Sequence, residues 1–332
     1  MNIQNPKKGE RVVFWSGKLI PESEAKVSIY DSALMFGDVV FEMTRSFQKK
    51  QFKLREHLER LYASIKFLEI PVPMSIEEME KHCQEVIEAN DHLFRKDDEH
   101  RLMIDITRGL LSIYQGVVGI EKGPNVIIAD FPLRWTVQGM GVLYEEGVDA
   151  VVPAQRTIPA SLLEPKVKNR NRIHYLMANI QVSKYKGKNA WALLLDPDGF
   201  IAEGSGDNFF IVKDGKLFTP EPRNILRGIS RKYIMEELCS QLGLECEEKN
   251  LEVYDVVNAD EAFYTATPFC IMPATKINGL EIGDGKVGKI TKKLLDQWGK
   301  NVGINIVQQI KKWNAQDSQK GGSGPSPYSF KK

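Results

Sequence analysis

Short apolar segments with the two-residue alternation of strands recur along this chain, each closed by Gly, Pro or a polar turn. Amphipathic helical patterns interrupt them at a few places, and this interleaving predicts a mixed α/β fold. Residues 11–15 and 18–20 flank Ser16-Gly17 and predict a hairpin. A strand over 39–47 is turned by the polar residues 48–51 into another extended stretch at 52–54. Leu58, Leu61 and Ile65 then fall at helical spacing. Ser75 and Glu78 make a capping box that opens a second helix, ending before His92. Residues 101–107 and 125–131 read as strands, so the first portion is α+β. Residues 132–141 carry a Pro and two Gly and few apolar groups, which predicts an interdomain connection.

The second portion resumes with a strand at 150–153, a helix over 170–185 and an apolar strand at 190–195. Pro197-Asp198-Gly199 turns the chain into 200–202, and 209–212 pairs with 216–219 around Lys213-Asp214-Gly215. A helix over 230–242, a strand at 262–265 and a last helix from 287 follow. No internal repeat is present. The expected division is a small α+β domain over 1–131, a linker over 132–141 and a larger α/β domain over 142–312. Residues 313–332, rich in Gly, Ser, Pro and Lys, are expected to be a disordered tail. With 332 residues and 42% hydrophobic content, the chain has ample apolar surface for two cores. Its 45 basic and 44 acidic residues nearly cancel, which argues against nucleic acid or an anionic membrane as partner. The first residues lack a signal-peptide apolar run, and no later stretch approaches the roughly 20 apolar residues that span a bilayer. Cys83, Cys239, Cys246 and Cys270 make no C-x-x-C pair and no zinc spacing, so no metal is expected. Thiols of this kind fit a reducing, cytoplasmic compartment.

Two segments carry modest chemical signals. In EGSGDN (203–208), two glycines directly after a strand let backbone approach a ligand closely. A bulged turn between strands is the plainer account while the segment stands alone. In LRGISR (226–231), Gly-Ile-Ser stands at a helix N-terminus, where free N–H groups and the helix dipole attract an anion such as phosphate. Ser230 as an ordinary N-cap is the plainer account.

Five segments taken in order resemble the class IV aminotransferases, the fold-type IV pyridoxal-phosphate enzymes. They are SALMFGDVVFEMTR (32–45), EHLERL (56–61), KNRNRIHY (168–175), EGSGDNF (203–209) and LRGISR (226–231). The resemblance implies a two-domain fold, with pyridoxal 5'-phosphate held between the domains, and a homodimer. It also implies transamination between an amino donor and a 2-oxo acid acceptor, the donor being a branched-chain L-amino acid, a D-amino acid or an (R)-amine. Lys168 matches the lysine that carries the cofactor as a Schiff base and moves the proton. Lys166 competes through a small shift of alignment, whereas Asn171 supports Lys168 by completing a K-x-x-N arrangement. Glu203 matches the acid beside the pyridine nitrogen, which keeps the ring an electron sink. Arg60 matches the guanidinium anchor of the phosphate. The backbone N–H groups of Ile229 and Ser230, the Ser230 hydroxyl and Thr267 match the rest of that phosphate set. Leu226 matches the apolar residue packed beneath the ring.

The substrate-facing positions depart from the family. Branched-chain enzymes carry Y-x-R-P ahead of the triplet matched here by Thr107-Arg108-Gly109, but this chain has Arg101-Leu102-Met103-Ile104. D-amino-acid enzymes carry R-x-H just beyond that triplet, and 110–114 contains none. Alternation puts Arg101, Met103, Asp105 and Thr107 on one strand face. Arg101 is thereby the candidate for the substrate carboxylate, with Phe36, Phe41, Met43 and Met103 lining an apolar side-chain pocket. Arg170-Asn171-Arg172 is also similar to aminodeoxychorismate lyases, which would use the same Lys168 and Glu203. A non-catalytic class IV scaffold is the remaining alternative.

Overall fold

The computed structural model describes residues 6–318. It divides into two compact units, Met1–Leu133 with Val167–Asn171, and Arg134–Lys166 with Arg172–Lys332.

In the first unit, β1 (Val12–Trp15) and β2 (Lys18–Pro21) form the expected hairpin. Ser16 and Gly17 both have positive φ, 42° and 104°, the turn geometry that matches strand twist. The short helix α1 (Ser32–Phe36) is capped by the Asp31 side chain and ends at Gly37 with φ 67°. The single strand expected over 39–47 is broken at Thr44-Arg45. It divides into β3 (Val39–Met43) and β4 (Ser46–Phe47), and β4 pairs only with β5 (Lys50–Gln51). The break buries Arg45, whose guanidinium lies 3.8 Å over the Phe47 ring. Residues 52–54 are no strand, because Lys53 at φ 55° turns the chain directly into helix α2 (Leu54–Phe67). Helix α3 (Ile76–Asn90) opens on the Ser75–Glu78 capping box and stops before His92.

Strands β6 (His100–Thr107) and β7 (Asn125–Pro132) complete an antiparallel sheet of order β2-β1-β7-β6-β3. Its inner face is built by Phe14, Val40, Leu102, Ile104, Ile106 and Ile128, packed against Leu58, Leu61 and Ile65 of α2 and Met79, Cys83, Val86 and Ile87 of α3. Full burial of side chains such as Leu58 and Leu61 contributes about 1.5–3 kcal/mol each. Since even-numbered residues of β6 enter this core, Arg101, Met103, Asp105 and Thr107 take the other face.

In the second unit a sheet runs in the order β10-β9-β8-β15-β14-β11-β12-β13, with β16 beside β15. Its strands are β8 (Val148–Val151), β9 (Ala190–Leu195), β10 (Ile201–Gly204), β11 (Asn208–Lys213), β12 (Lys216–Thr219), β13 (Cys246–Glu248), β14 (Glu261–Ala266), β15 (Cys270–Ile277) and β16 (Leu280–Glu281). β8 pairs in parallel with both β9 and β15. Strand β15 lies between the strand expected at 262–265 and the helix expected from 287, where no element is expected. Here Pro273 stands opposite Phe263, beside a register shift on the β8 side. Stacked Phe210 and Phe263, with centroids 5.0 Å apart, and the buried Trp298 mark the core.

The short helix α4 (Leu143–Glu146) precedes β8, and α5 (Ile173–Val182) starts later than the expected 170. The reason is that 168–170 is extended and pairs with β3. Consequently Val167–Asn171 belongs to the first unit, although the expected division 142–312 puts it in the second. Helix α6 (Ile229–Tyr233) passes through a π-helical stretch (Ile234–Leu238) into α7 (Cys239–Leu242), covering the helix expected at 230–242. Helices α8 (Val253–Val257), α9 (Lys289–Val302) and α10 (Ile306–Ser318) follow. The tail expected from 313 therefore begins inside a helix, where Trp313 is fully buried. The rest of that tail lies outside the described residues. Among the described residues no helix is long and apolar enough to cross a membrane.

Removing the capping box tests the α3 assignment. Ser75→Ala should lower stability by about 1 kcal/mol, read as a shifted urea midpoint. An unchanged midpoint would mean the box carries no weight.

Candidate functional site

In the first unit, the open edge of β3 positions Lys168. The Phe41 N–H donates to the Lys168 carbonyl and the Arg170 N–H to the Val39 carbonyl, each at 2.9 Å. The Lys168 N–H donates to the Ser64 hydroxyl at 3.2 Å, and that hydroxyl donates to the Arg60 carbonyl at 3.0 Å. One helix, α2, therefore ties the backbone of Lys168 to the turn that carries Arg60. The Lys168 ammonium lies 4.8 Å from the Phe41 ring centroid and the Arg170 guanidinium 3.8 Å from it. Asn171 packs on Gly37, where a Cβ would lie 2.7 Å from Asn171 Oδ1. In the second unit, Lys166 is engaged elsewhere, with Glu164 at 2.5 Å and the Arg223 carbonyl at 3.2 Å.

Arg60 grips a carboxylate of its own chain. Its Nε and Nη2 donate to Glu42 at 2.6 and 2.8 Å, and His57 Nδ1 lies 2.7 Å from the same group. Burial raises the Glu42 carboxyl, but the Arg60 and His57 charges outweigh it and hold the group well below the usual carboxylate range. Burial also takes the His57 imidazole below its ordinary value, against the pull of Glu42.

On the opposite sheet face, Met43 stands across from Met103 and Phe41 across from Asp105. Arg101 is buried, 6% exposed, with Nη2 3.6 Å from Met43 Sδ. Arg170 donates through Nε at 2.8 Å and Nη2 at 2.7 Å to one oxygen of Asp105. Burial raises the Asp105 carboxyl, and Arg170 opposes the rise. Thus Phe41, Met43, Arg101 and Met103 share one face with Lys168. Phe36 does not join them by any described contact and is 64% exposed on α1.

In the second unit, Glu203 lies on β10 with 4% exposure and collects three donors. The Tyr175 hydroxyl reaches Oε1 at 2.5 Å, while Asn208 Nδ2 and the Leu226 N–H reach Oε2 at 3.1 and 3.0 Å. Asn208 also donates to the Leu226 carbonyl at 2.9 Å, so one amide locks Glu203 to the chain at Leu226. A Cβ on Gly228 would lie 2.1 Å from Asn208 Oδ1, which explains the glycine there. Gly228 is the N-cap of α6 and offers no side chain, so Ile229 and Ser230 present first-turn N–H groups. Ser230 is therefore not the cap. Thr267 is half-buried in the turn joining β14 to β15, and α6 packs on β14. Tyr175 and Asn208 are the residues that sequence reasoning leaves without a role. Asn208 lies inside the EGSGDN motif, but nothing local marks Tyr175, whose partner is 28 residues away.

Asp207 adds a second carboxyl nearby. Burial, with the Glu203 charge, pushes it up to about 8, against the pull of Arg172. Unfolded, it would ionise near about 4. Folding therefore takes up a proton between those values, and the group's contribution is full below them and lost as pH rises towards about 8. Asp207→Asn mimics the protonated form, so its stability relative to the parent should climb between about pH 5 and pH 8 and then level. Urea titrations across that range check this, and a flat difference would mean that Asp207 is ionised in the fold.

The sequence profile of amino-transferase class IV matches residues 39–277. A branched-chain-amino-acid aminotransferase of Escherichia coli (strain K12) is 32% identical over 294 residues, covering 85% of this chain and 90% of its own. A D-alanine aminotransferase of Bacillus licheniformis is 30% identical over 283 residues, covering 85% of this chain and 94% of its own. The solved branched-chain amino acid aminotransferase of Thermobaculum terrenum, in its PLP form, superposes with a TM-score of 0.76 at 26% identity. That match covers 92% of this chain and 97% of the solved one. A profile spanning most of both units, with relatives aligned over nearly their full length, makes this chain a member of the class IV aminotransferases.

Proposed function

We propose that this aminotransferase moves an amino group between a branched-chain L-amino acid and a 2-oxo acid, with Lys168 and Glu203 as the residues that act on its pyridoxal 5'-phosphate. The observation that carries the reading is the fixing of Lys168 by both backbone bonds, with its amine over Phe41. A lysine on a surface loop would have no such restraint.

The residues present fit the cofactor. A phosphate calls for donors, and Ile229 and Ser230 present N–H groups beyond a side-chain-free cap. Arg60 would add a guanidinium to that set, and Thr267 a hydroxyl. A pyridine nitrogen calls for a carboxylate, and Glu203 supplies one held by three donors. Leu226 provides an apolar support for the ring. When bound, pyridoxal phosphate supplies an electron sink for a negative charge at the substrate Cα. Lys168 would hold it through Nζ and carry the proton to and from that carbon. Glu203 would keep a proton on the ring nitrogen, with Tyr175 and Asn208 holding Glu203 in place.

The branched-chain preference rests on Phe41, Met43 and Met103, which present an apolar face, and on the name of the E. coli relative. Arg101 would take the α-carboxylate. A homodimer belongs to the same proposal. Ile29, Leu34, Met35, Phe36, Ile113 and Val118 of the first unit are exposed, an apolar surface that a second copy would cover. Phe36 would then meet the substrate only in that assembly. Residence in a reducing cytoplasm fits four cysteines of which none is in a disulfide.

Purified protein should be yellow, and borohydride reduction should leave the cofactor adduct on Lys168 by peptide mass mapping. An adduct on Lys166, or a colourless protein that resists reconstitution, would sink the assignment. Arg101→Ala should weaken amino and keto acids by about 1.5–3 kcal/mol, the range for hydrogen bonds to charged groups. Simple amines without a carboxylate should lose little, and equal losses for both would remove Arg101 from the carboxylate.

A further inference from the structure

His57 is a buried imidazole to which the reaction proposed above gives no task, and it lies one turn before Arg60 on α2. Its Nδ1 is 2.7 Å from Glu42, the carboxylate that also takes Nε and Nη2 of Arg60. Glu42 is 0% exposed and His57 1% exposed, so little water screens the charges they meet. Three charged groups act on the ring. Glu42 of β3 draws a proton to it, whereas Arg60 of its own helix and Lys168 of the segment paired with β3 oppose one. Burial, the largest influence, sides with the cations and keeps the imidazole below its ordinary value. An ionised carboxylate has no proton to donate, so Nδ1 carries the hydrogen of this contact. The lone pair of the neutral ring is then on Nε2.

The cofactor phosphate changes this balance. It brings a charge of about −1.5 to −2 to a guanidinium that already compensates a buried carboxylate. Glu42 cannot yield by protonating, because it is held well below the usual carboxylate range. Two anions on one guanidinium leave negative charge uncompensated beside a buried group, which is costly. The phosphate also weakens the cations' opposition to a proton on the ring, while the pull of Glu42 at 2.7 Å stays. The imidazole is in contact with Glu42 and can become a second cation by taking one proton from solvent at Nε2.

We propose that His57 takes up a proton when the cofactor phosphate settles on Arg60, so that cofactor binding is proton-linked through the Glu42 bridge. This deepens the site reading, in which Arg60 meets the phosphate, and rests on it. His57 is a positioning residue that acts through Glu42 and Arg60.

The probe is pyridoxamine 5'-phosphate, which carries the phosphate and forms no bond to Lys168, added to the full chain freed of cofactor. Calorimetry in buffers of different ionisation enthalpy counts the protons taken up as it binds. Asparagine keeps an N–H for Glu42 and cannot be charged, so His57→Asn is the reference. Near neutral pH the parent should take up more protons than His57→Asn, the excess being up to about one, the limit for a single group. A bound state that holds more protons binds best at low pH and weakens as pH rises through the value of the bound ring. The ratio of parent to His57→Asn affinity should therefore fall with rising pH, by at most about tenfold per unit. A ratio that is the same at every pH overturns the proposal and makes His57 structural. Equal proton uptake by the two proteins also overturns it, and gives the proton to the phosphate itself or to Lys168. Arg60→Lys keeps a charge for Glu42 but loses the planar fork, and should bind the probe more weakly. If it binds as tightly as the parent, the Arg60 reading fails and the proton linkage with it. If it binds more weakly while the ratio stays flat, the linkage alone fails. Where His57→Asn does not fold, NMR of the isotope-labelled parent reads the His57 ring directly, neutral without the probe and charged with it. A ring that stays neutral in both states overturns the proposal.

Discussion

The pairing of residues 168–170 with the open edge of β3 is the constraint on which the chemistry of the first unit depends. The five-stranded sheet ends at β3, and an unpaired edge would leave its N–H and C=O groups without partners. The chain returns there after a long excursion and satisfies that edge with two backbone bonds. Alternation along so short an extended segment then puts Lys168 and Arg170 on the same side, both over Phe41. The Ser64 hydroxyl reinforces the register from α2, so a one-residue slip would break the Lys168 N–H bond as well as turn the amine to the other face.

Buried carboxylates organise both units, and they do so in different ways. Glu42 is neutralised by Arg60, and His57 Nδ1 lies against the same carboxylate, so its charge is compensated by charge. Removing either partner of such a pair leaves an uncompensated ion and costs roughly 3–5 kcal/mol. Glu203 receives a phenol, an amide and a backbone N–H, none of them cationic. At these three contacts its charge meets dipoles. Asp207 stands close enough to feel that charge and retains its proton as a result of burial and that repulsion together.

The sheet face turned away from α2 and α3 combines two arginines with methionines and a phenylalanine. Arg101 is buried along Met43, whereas Arg170 is half-exposed and already neutralised by Asp105. The two guanidiniums therefore differ in charge balance although they lie on neighbouring segments of one face.

Much of this was legible in the chain itself. Strand alternation in 101–107, helical spacing of Leu58, Leu61 and Ile65, the Ser75–Glu78 capping box and the Ser16-Gly17 turn are local, and local propensities and geometry decide them. The glycines at 204 and 206 predicted a close approach of a ligand to backbone; at 204 the group that comes close is the Asp207 side chain, and at 228, where no close approach was expected, it is that of Asn208. The break after Met43 and the helix through Trp313 were decided by burial, which overrides the local signals of 39–47 and of a polar tail. The extended course of 168–170, where a helix was expected to open at 170, was decided by a sheet edge far earlier in the chain, where Val40 meets Asn169. Tyr175 on Glu203, Glu42 on Arg60 and Asp105 on Arg170 depend on side chains 28, 18 and 65 residues apart. Sequence determined which residue types were available for chemistry; only the tertiary fold decided which of them meet, because pairing across such separations is set by sheet register and helix packing.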